Sequence, residues 1–263
     1  MSFQDAVFPT PDGAEIHYKI RPGRDPLVLL HAMGCDASMW DGVVAALPSD
    51  RGIVIPEVRG HGASTLGWRA PSVDLWADDV VRLLQLKRVE RPAFAGLSMG
   101  GYVALAIAAA HPGFARAYAF VSTTAAPDDD AARLQRARGI AMIRLQGWRS
   151  FAEAMVPSLL NDNREQFESR REHLMAMFER AGDAGLPPTL MGLAARPDRR
   201  SMLLSIGVKS ILIVGAVDAL TPPDRSRAMA AAIPGARLHV LEDVAHLSAL
   251  ESPQKIAALL GPL

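Results

Sequence analysis

At 263 residues the chain suits one large α/β domain with a subdomain, and 49% apolar residues are enough for a sizeable core. Its 28 basic and 28 acidic side chains cancel, which leaves no electrostatic footprint for nucleic acid or an anionic membrane surface. A single cysteine, Cys35, excludes an internal disulfide, residues 1–5 lack the basic and apolar regions of a signal peptide, and no apolar run reaches the roughly 18–20 residues of a membrane span; together these predict a cytoplasmic protein.

The first 30 residues read as β-structure. Residues 14–20 alternate as a strand after a Pro11-Asp12-Gly13 turn, and residues 26–30 form the continuous apolar run of a strand buried on both faces. A helix is predicted over 38–47, a short buried strand over 52–55, and a helix over 73–86 that Ser72 caps. The strand 92–97 leads into an Ala-rich helix over 100–111, ended by Pro112-Gly113, and the next strand is 117–122. No strand pattern follows until residue 210, although a complete strand-helix-strand unit takes only about 30 residues. Helical stretches at 130–143, 148–159, 164–181 and 190–194 occupy that gap. Residues 125–206 therefore read as a helical cap inserted into a core formed by 1–124 and 207–263. The rhythm resumes with a strand at 211–214, a helix at 223–232, a strand at 237–241 and a helix at 252–260. Such alternation predicts an α/β fold with a mostly parallel central sheet and helices on both faces. Sites in such sheets form beyond the carboxyl ends of the strands.

Three polar residues fall on that edge. Gly96-Leu97-Ser98-Met99-Gly100 lies between a strand and a helix, the setting of a nucleophile elbow. Glycine on either side leaves room for a strained turn that lifts the Ser98 hydroxyl clear of the sheet. A serine hydroxyl needs a base near neutral pH. Of seven histidines, His246 alone follows the last strand and precedes the final helix, in a carboxyl-end loop after the serine. The third member is a carboxylate that orients the imidazole and stabilises its cation. Asp218 directly follows a buried strand; Asp243, three residues before His246, is the rival and is better placed to shape its loop. The order Ser98, Asp218, His246 is that of an α/β-hydrolase triad. Backbone N–H groups of Met99 and of Met33, in the loop after strand 26–30, are the expected oxyanion donors.

The chain resembles the α/β-hydrolase superfamily over nearly its full length. The likeness rests on Leu29-Leu30-His31-Ala32-Met33-Gly34, Arg59-Gly60-His61-Gly62-Ala63-Ser64, Gly96-Leu97-Ser98-Met99-Gly100-Gly101, Gly215-Ala216-Val217-Asp218 and Ala245-His246. A finer likeness, to 3-oxoadipate enol-lactonases, small esterases and cofactor-free haloperoxidases, rests on Ala195-Arg196-Pro197-Asp198-Arg199-Arg200 and Ala219-Leu220-Thr221-Pro222-Pro223. Two departures stand out. His31-Ala32 replaces the usual His-Gly, and Glu57-Val58 precedes Arg59 where an aspartate is usual. A serine nucleophile argues against the dehalogenase and epoxide-hydrolase branches.

The resemblance implies a serine hydrolase acting on a small carboxylic ester or lactone through an acyl-enzyme. Carbon-carbon bond hydrolysis and perhydrolysis on the same triad are the alternatives, and a ligand-binding receptor on this scaffold is a third. The insertion is expected to cover Ser98 and shape the pocket, with Trp40, Arg144 and Trp148 as candidate substrate contacts and most of its methionines packing helix against helix. Cys35 is expected to be a small buried residue. No cofactor and no metal is expected, because no ligand cluster is visible. The expected partner is a small molecule, with neither nucleic acid nor membrane, and composition leaves self-association open.

Overall fold

The computed structural model describes residues 2–163 and 165–263. Two kinds of strand build it. Strand β1 (Gln4–Pro9) pairs antiparallel with β2 (Glu15–Arg21), whose Ile16 and Tyr18 point inward between exposed or half-buried neighbours. Strand β3 (Arg24–Leu30) is different: Leu27 to Leu30 are all buried, as is every residue of β4 (Arg51–Pro56), β5 (Ala93–Leu97) and β6 (Ala117–Val121). Runs without alternation belong to strands covered on both faces. With β7 (Lys209–Gly215) and β8 (Arg237–Leu241) the sheet has the order β1-β2-β4-β3-β5-β6-β7-β8. All pairs from β4 to β8 are parallel.

Helices cover both faces, as predicted. Val43 of α1 (Asp41–Ala46) and Ile256 and Leu260 of α8 (Pro253–Leu260) pack with Leu27 and Leu29 on one face. Trp76 of α2 (Val73–Leu86), Val103 of α3 (Met99–Ala110) and Met229 of α6 (Pro223–Ala232) pack with Val28 and Leu30 on the other. Ser72 caps α2 by accepting the Leu75 N–H at 3.1 Å. The helix expected over 38–47 begins instead as a tight turn, Ala37–Trp40, because Asp36 accepts the Ser38 N–H and holds the first residues in 3-10 geometry. A short helix α7 (Ser248–Glu251), unforeseen, precedes α8.

The chain leaves β3 toward β4 on one side and later fills β5 to β8 on the other. The direction of winding therefore reverses between β3 and β5. A crevice opens at such a reversal, beyond Leu30 and Leu97.

Two long helices, α4 (Asp130–Leu159) and α5 (Phe167–Ala194), lie between β6 and β7 and pack on each other. Each is two helices joined at a non-helical glycine, Gly147 (φ 82°, ψ 164°) and Gly182 (φ 53°, ψ −163°). The predicted helix start at Arg164 lies outside the described residues. Phe151, Leu174, Met177, Phe178 and Leu186 join Leu27, Leu29 and Trp40 in one apolar cluster, so these helices share the core of the sheet. Gly185 is the tightest seam: a Cβ there would sit 1.8 Å from the Gly60 carbonyl oxygen. Gly185→Ala is expected to destabilise by about 3 kcal/mol or more. Calorimetry should show Tm lower by roughly 6–12 °C; an unchanged Tm would mean the seam opens without cost.

Candidate active site

Ser98 ends β5 and opens α3 with φ 54° and ψ −111°, a backbone conformation that serine rarely adopts and that costs roughly 1–3 kcal/mol. The surroundings hold it there. Its N–H donates to the Val121 carbonyl at 2.8 Å, and its carbonyl accepts from Gly101 N, Tyr102 N and Thr123 Oγ1 at 2.9, 3.2 and 2.9 Å. Glycine is required on both sides: a Cβ on Gly96 would meet Gly100 O at 2.2 Å, and one on Gly100 would meet Leu30 O at 2.1 Å. The elbow is thus pressed against the end of β3.

The loop after β7 and the loop after β8 meet beside it. His246 Nδ1 lies 3.0 Å from each carboxylate oxygen of Asp218, and both side chains are buried. Asp218 also accepts from Leu220 N, Thr221 N and Thr221 Oγ1 at 3.0, 2.9 and 2.7 Å. Burial pushes its carboxyl up, but the His246 contact and these donors outweigh it and hold the group below the usual carboxylate range. Asp243 is exposed, with φ 57°, and its carbonyl accepts from Asn161 Nδ2 at 3.0 Å; it shapes the turn and stays off the imidazole. Two bonds tie the histidine loop to neighbouring elements: Ala245 N donates to Glu251 Oε2 at 2.6 Å, and Leu247 N donates to Leu159 O at 3.0 Å.

The loop after β3 is stapled by two buried histidines. His31 donates from Nδ1 to Ala32 O at 2.8 Å and accepts the Val58 N–H on Nε2 at 2.9 Å. His61 donates from Nδ1 to Arg59 O at 3.2 Å and accepts the Gly34 N–H on Nε2 at 3.1 Å. Each ring needs one bare nitrogen for this, so both are neutral. Burial holds both below the ordinary histidine value, and the nearby His31 helps push His61 down to about 3. The Met33 N–H makes no hydrogen bond among the described residues, and the Met99 N–H opens α3 and lacks an intrahelical acceptor. Cys35 is buried beside this loop, where burial pushes its thiol up and leaves it unreactive.

Ser98, Met33 and His246 line one cavity of about 260 Å³. Its apolar lining includes Phe151, Met155, Leu159 and Leu190; its charged lining includes Asp128, Arg136, Arg196 and Arg225. The three expected substrate contacts are not part of it. Trp40 is fully buried in the core under α1, because the turn Ala37–Trp40 points it inward. Arg144 is exposed, about 100° around the helix from buried Ile143. Trp148 follows the break at Gly147; it packs half-buried against the core, and the Arg149 guanidinium lies 4.9 Å from its ring centre. Arg196 and Thr221 lay in segments that carried the finer family likeness, but Asp128, Arg136 and Arg225 had no sequence signal beyond their charge. Among the described residues no group of three His, Cys, Asp or Glu side chains is placed to hold a metal, and no helix is long and apolar enough to cross a membrane.

A model of the alpha/beta hydrolase family matches residues 27–259. The chain belongs to that family. It is 29% identical over 249 residues to 3-oxoadipate enol-lactonase 1 of Acinetobacter baylyi, covering 89% of this chain and 86% of that one. It is 29% identical over 251 residues to a pimeloyl-[acyl-carrier protein] methyl ester esterase of Aromatoleum aromaticum, covering 90% and 97%. Among solved structures, a thermophilic esterase from Thermogutta terrifontis matches with a TM-score of 0.90 at 28% identity, over 98% of this chain and 96% of that one.

The two departures from the family pattern are absorbed locally. The Ala32 carbonyl accepts from both His31 Nδ1 and Cys35 N, so the loop closes without a glycine at position 32. Glu57 takes the N–H groups of Ala37 and Ala63, and its carboxylate fills the space where Gly62 has no side chain.

Proposed function

We propose that this alpha/beta hydrolase cleaves a small carboxylic ester or lactone, with Ser98 as nucleophile, His246 as general base and acid, and Asp218 as its orienting carboxylate. The observation that carries the reading is Asp218 at 3.0 Å from His246 Nδ1, with Ser98 and His246 facing one cavity. Donation from Nδ1 to Asp218 leaves Nε2 bare to take the Ser98 proton. Ser98 Oγ then attacks the carbonyl, and the N–H groups of Met33 and Met99 stabilise the oxyanion. His246 returns the proton to the leaving oxygen, then activates water to release the acid. Relatives named for lactone and methyl ester cleavage support this chemistry, including the enol-lactonase reading. The cavity, below the roughly 300–1,000 Å³ of drug-sized sites, suits a small substrate. In this reading residues 125–206 act as the cap that walls off the site. The direct test is labelling with a fluorophosphonate followed by peptide mass mapping: the adduct should sit on Ser98, and folded protein that resists labelling would refute the assignment.

His61 enters this mechanism only by holding Gly34. His61→Leu removes that acceptor, and a displaced donor typically costs about 10²-fold. Such a loss is expected in kcat for a short p-nitrophenyl ester, with KM little changed. Equal kcat would show that the loop keeps its shape without the staple.

A further inference from the structure

The charged lining of the cavity is out of balance. Among the described residues Asp128 is the only buried carboxylate there, and two arginines share it. Arg136 donates to it from Nε and Nη2, and Arg196 donates from Nη1 at 2.5 Å. Burial pushes the Asp128 carboxyl up, but these donors and charges hold it below the usual range, so it is fully engaged as an anion. Arg196 is fixed in the wall: it donates to Leu193 O and Ala126 O at 3.1 and 3.2 Å and lies 4.3 Å from the Tyr102 ring centre. Asp129 also borders the cavity, but it is exposed and its carboxylate caps α4 at the Ala132 N–H. The third guanidinium comes from a different element. Arg225, on α6, lines the cavity and has no carboxylate partner among the described residues; Arg136 Nη1 has no hydrogen bond among them either.

Joining the two ends of the insertion to each other, with Arg196 stacked on Tyr102 of α3, would account for Asp128, Arg136 and Arg196. It would not account for Arg225, an exposed side chain that brings the charged lining to three arginines against two aspartates, beside the apolar Phe151, Met155, Leu159 and Leu190. We propose that the substrate carries a carboxylate away from its scissile carbonyl, and that Arg225 together with the outer edge of Arg136 binds it. A guanidinium presents parallel donors that match a planar carboxylate, and one not already neutralised is free to do so. The apolar residues would then contact the carbon skeleton between the two ends. This rests on the ester-hydrolase reading for the reaction but not for the binding.

The test compares length-matched esters by pH-stat. Monomethyl adipate is set against methyl hexanoate for a carboxylate on the acyl side, and 4-acetoxybutyrate against butyl acetate for one on the leaving group. Methyl 6-aminohexanoate carries the opposite charge. In at least one pair the carboxylated ester should be favoured about 10–100-fold in kcat/KM, chiefly through KM, with the preference shrinking in 1 M salt. Arg225→Met, an exposed site whose variant is checked by its melting curve, should bring the ratio to within threefold of one. Arg227→Met on the same helix, where Arg227 pairs with Asp224, should keep it. Isothermal titration with adipate and with 1,6-diaminohexane reads the same subsite without turnover: adipate should bind, and more weakly in Arg225→Met. Ratios near one in both pairs, preference for the ammonium ester, or a full preference retained in Arg225→Met would overturn the proposal. If Ser98 resists the fluorophosphonate while adipate still binds through Arg225, it is the serine-hydrolase reading that fails.

Discussion

Ser98→Ala is expected to lower kcat on short p-nitrophenyl esters by roughly 10⁴–10⁶-fold, with KM nearly unchanged. His246→Ala should do the same, and the double variant should be no worse than either, because in the proposed mechanism the nucleophile and its base act as one unit. Asp218→Asn keeps the shape but cannot hold the same tautomer with two acceptor oxygens, and about 10⁴-fold is expected there. The elbow adds a second readout. Ser98 sits at φ 54°, ψ −111°, which glycine tolerates and residues with a Cβ do not. Ser98→Gly should therefore be as inactive as Ser98→Ala yet melt higher than the wild type, by part of the roughly 1–3 kcal/mol of strain released. Ser98→Ala retaining more than a hundredth of wild-type kcat would remove the serine from the mechanism. A Ser98→Gly variant that melts lower would show that the strain is not stored at this residue.

Arg59→Met is expected to cost about 3–5 kcal/mol at pH 7.5, the typical loss when one partner leaves a buried ionic cluster. Arg59 is 3% exposed and joins three parts of the fold: Asp12 in the β1–β2 turn, Asp79 on α2, and the Leu66 carbonyl. Hydrogen bonds from Arg59, with help from Thr10 and the Arg69 N–H, hold Asp12 well below the usual carboxylate range; burial pushes Asp79 up. The signs differ. A depressed carboxyl stabilises the fold above its unfolded pKa and loses that contribution as pH falls, whereas a raised one costs stability when ionised and stops costing it as pH falls. Without the guanidinium, both carboxylates would be buried beside each other and both raised. The gap between wild type and Arg59→Met, read from urea denaturation, should therefore be widest near neutrality and narrow toward pH 4.5. A gap independent of pH would mean that lost packing, not uncompensated charge, is the cause.

The positions of the proposed triad past the ends of strands were legible in the sequence. Ser98, Asp218 and His246 each follow a recognisable strand, and the carboxyl-edge rule needs only the order of strands and helices to put them on one rim. The loop after β3, which carries the proposed oxyanion donor Met33, was legible for the same reason. Trp40, Arg144 and Trp148 do not line the cavity, because residue type and nearness in sequence do not set the direction of a side chain. A 3-10 turn sent Trp40 into the core, and the break at Gly147 reset the helix phase between Arg144 and Trp148. His31 and His61 stood in the motifs that carried the family likeness, but their work depends on the fold, which sets their bare nitrogens to accept backbone N–H groups from each other's loops.

Hydrophobic period and chain order are local properties, and they carry the parallel sheet, the two-sided helix cover, the long insertion and the places of Ser98, Asp218 and His246 past the strand ends. The walls of the cavity follow from packing instead. Arg136 lies on α4, Arg196 just beyond the end of α5 and Arg225 on α6, far apart along the chain, and they border a single space only because the fold brings these segments together. Convergence of that kind depends on packing angles and kinks, which no local pattern encodes.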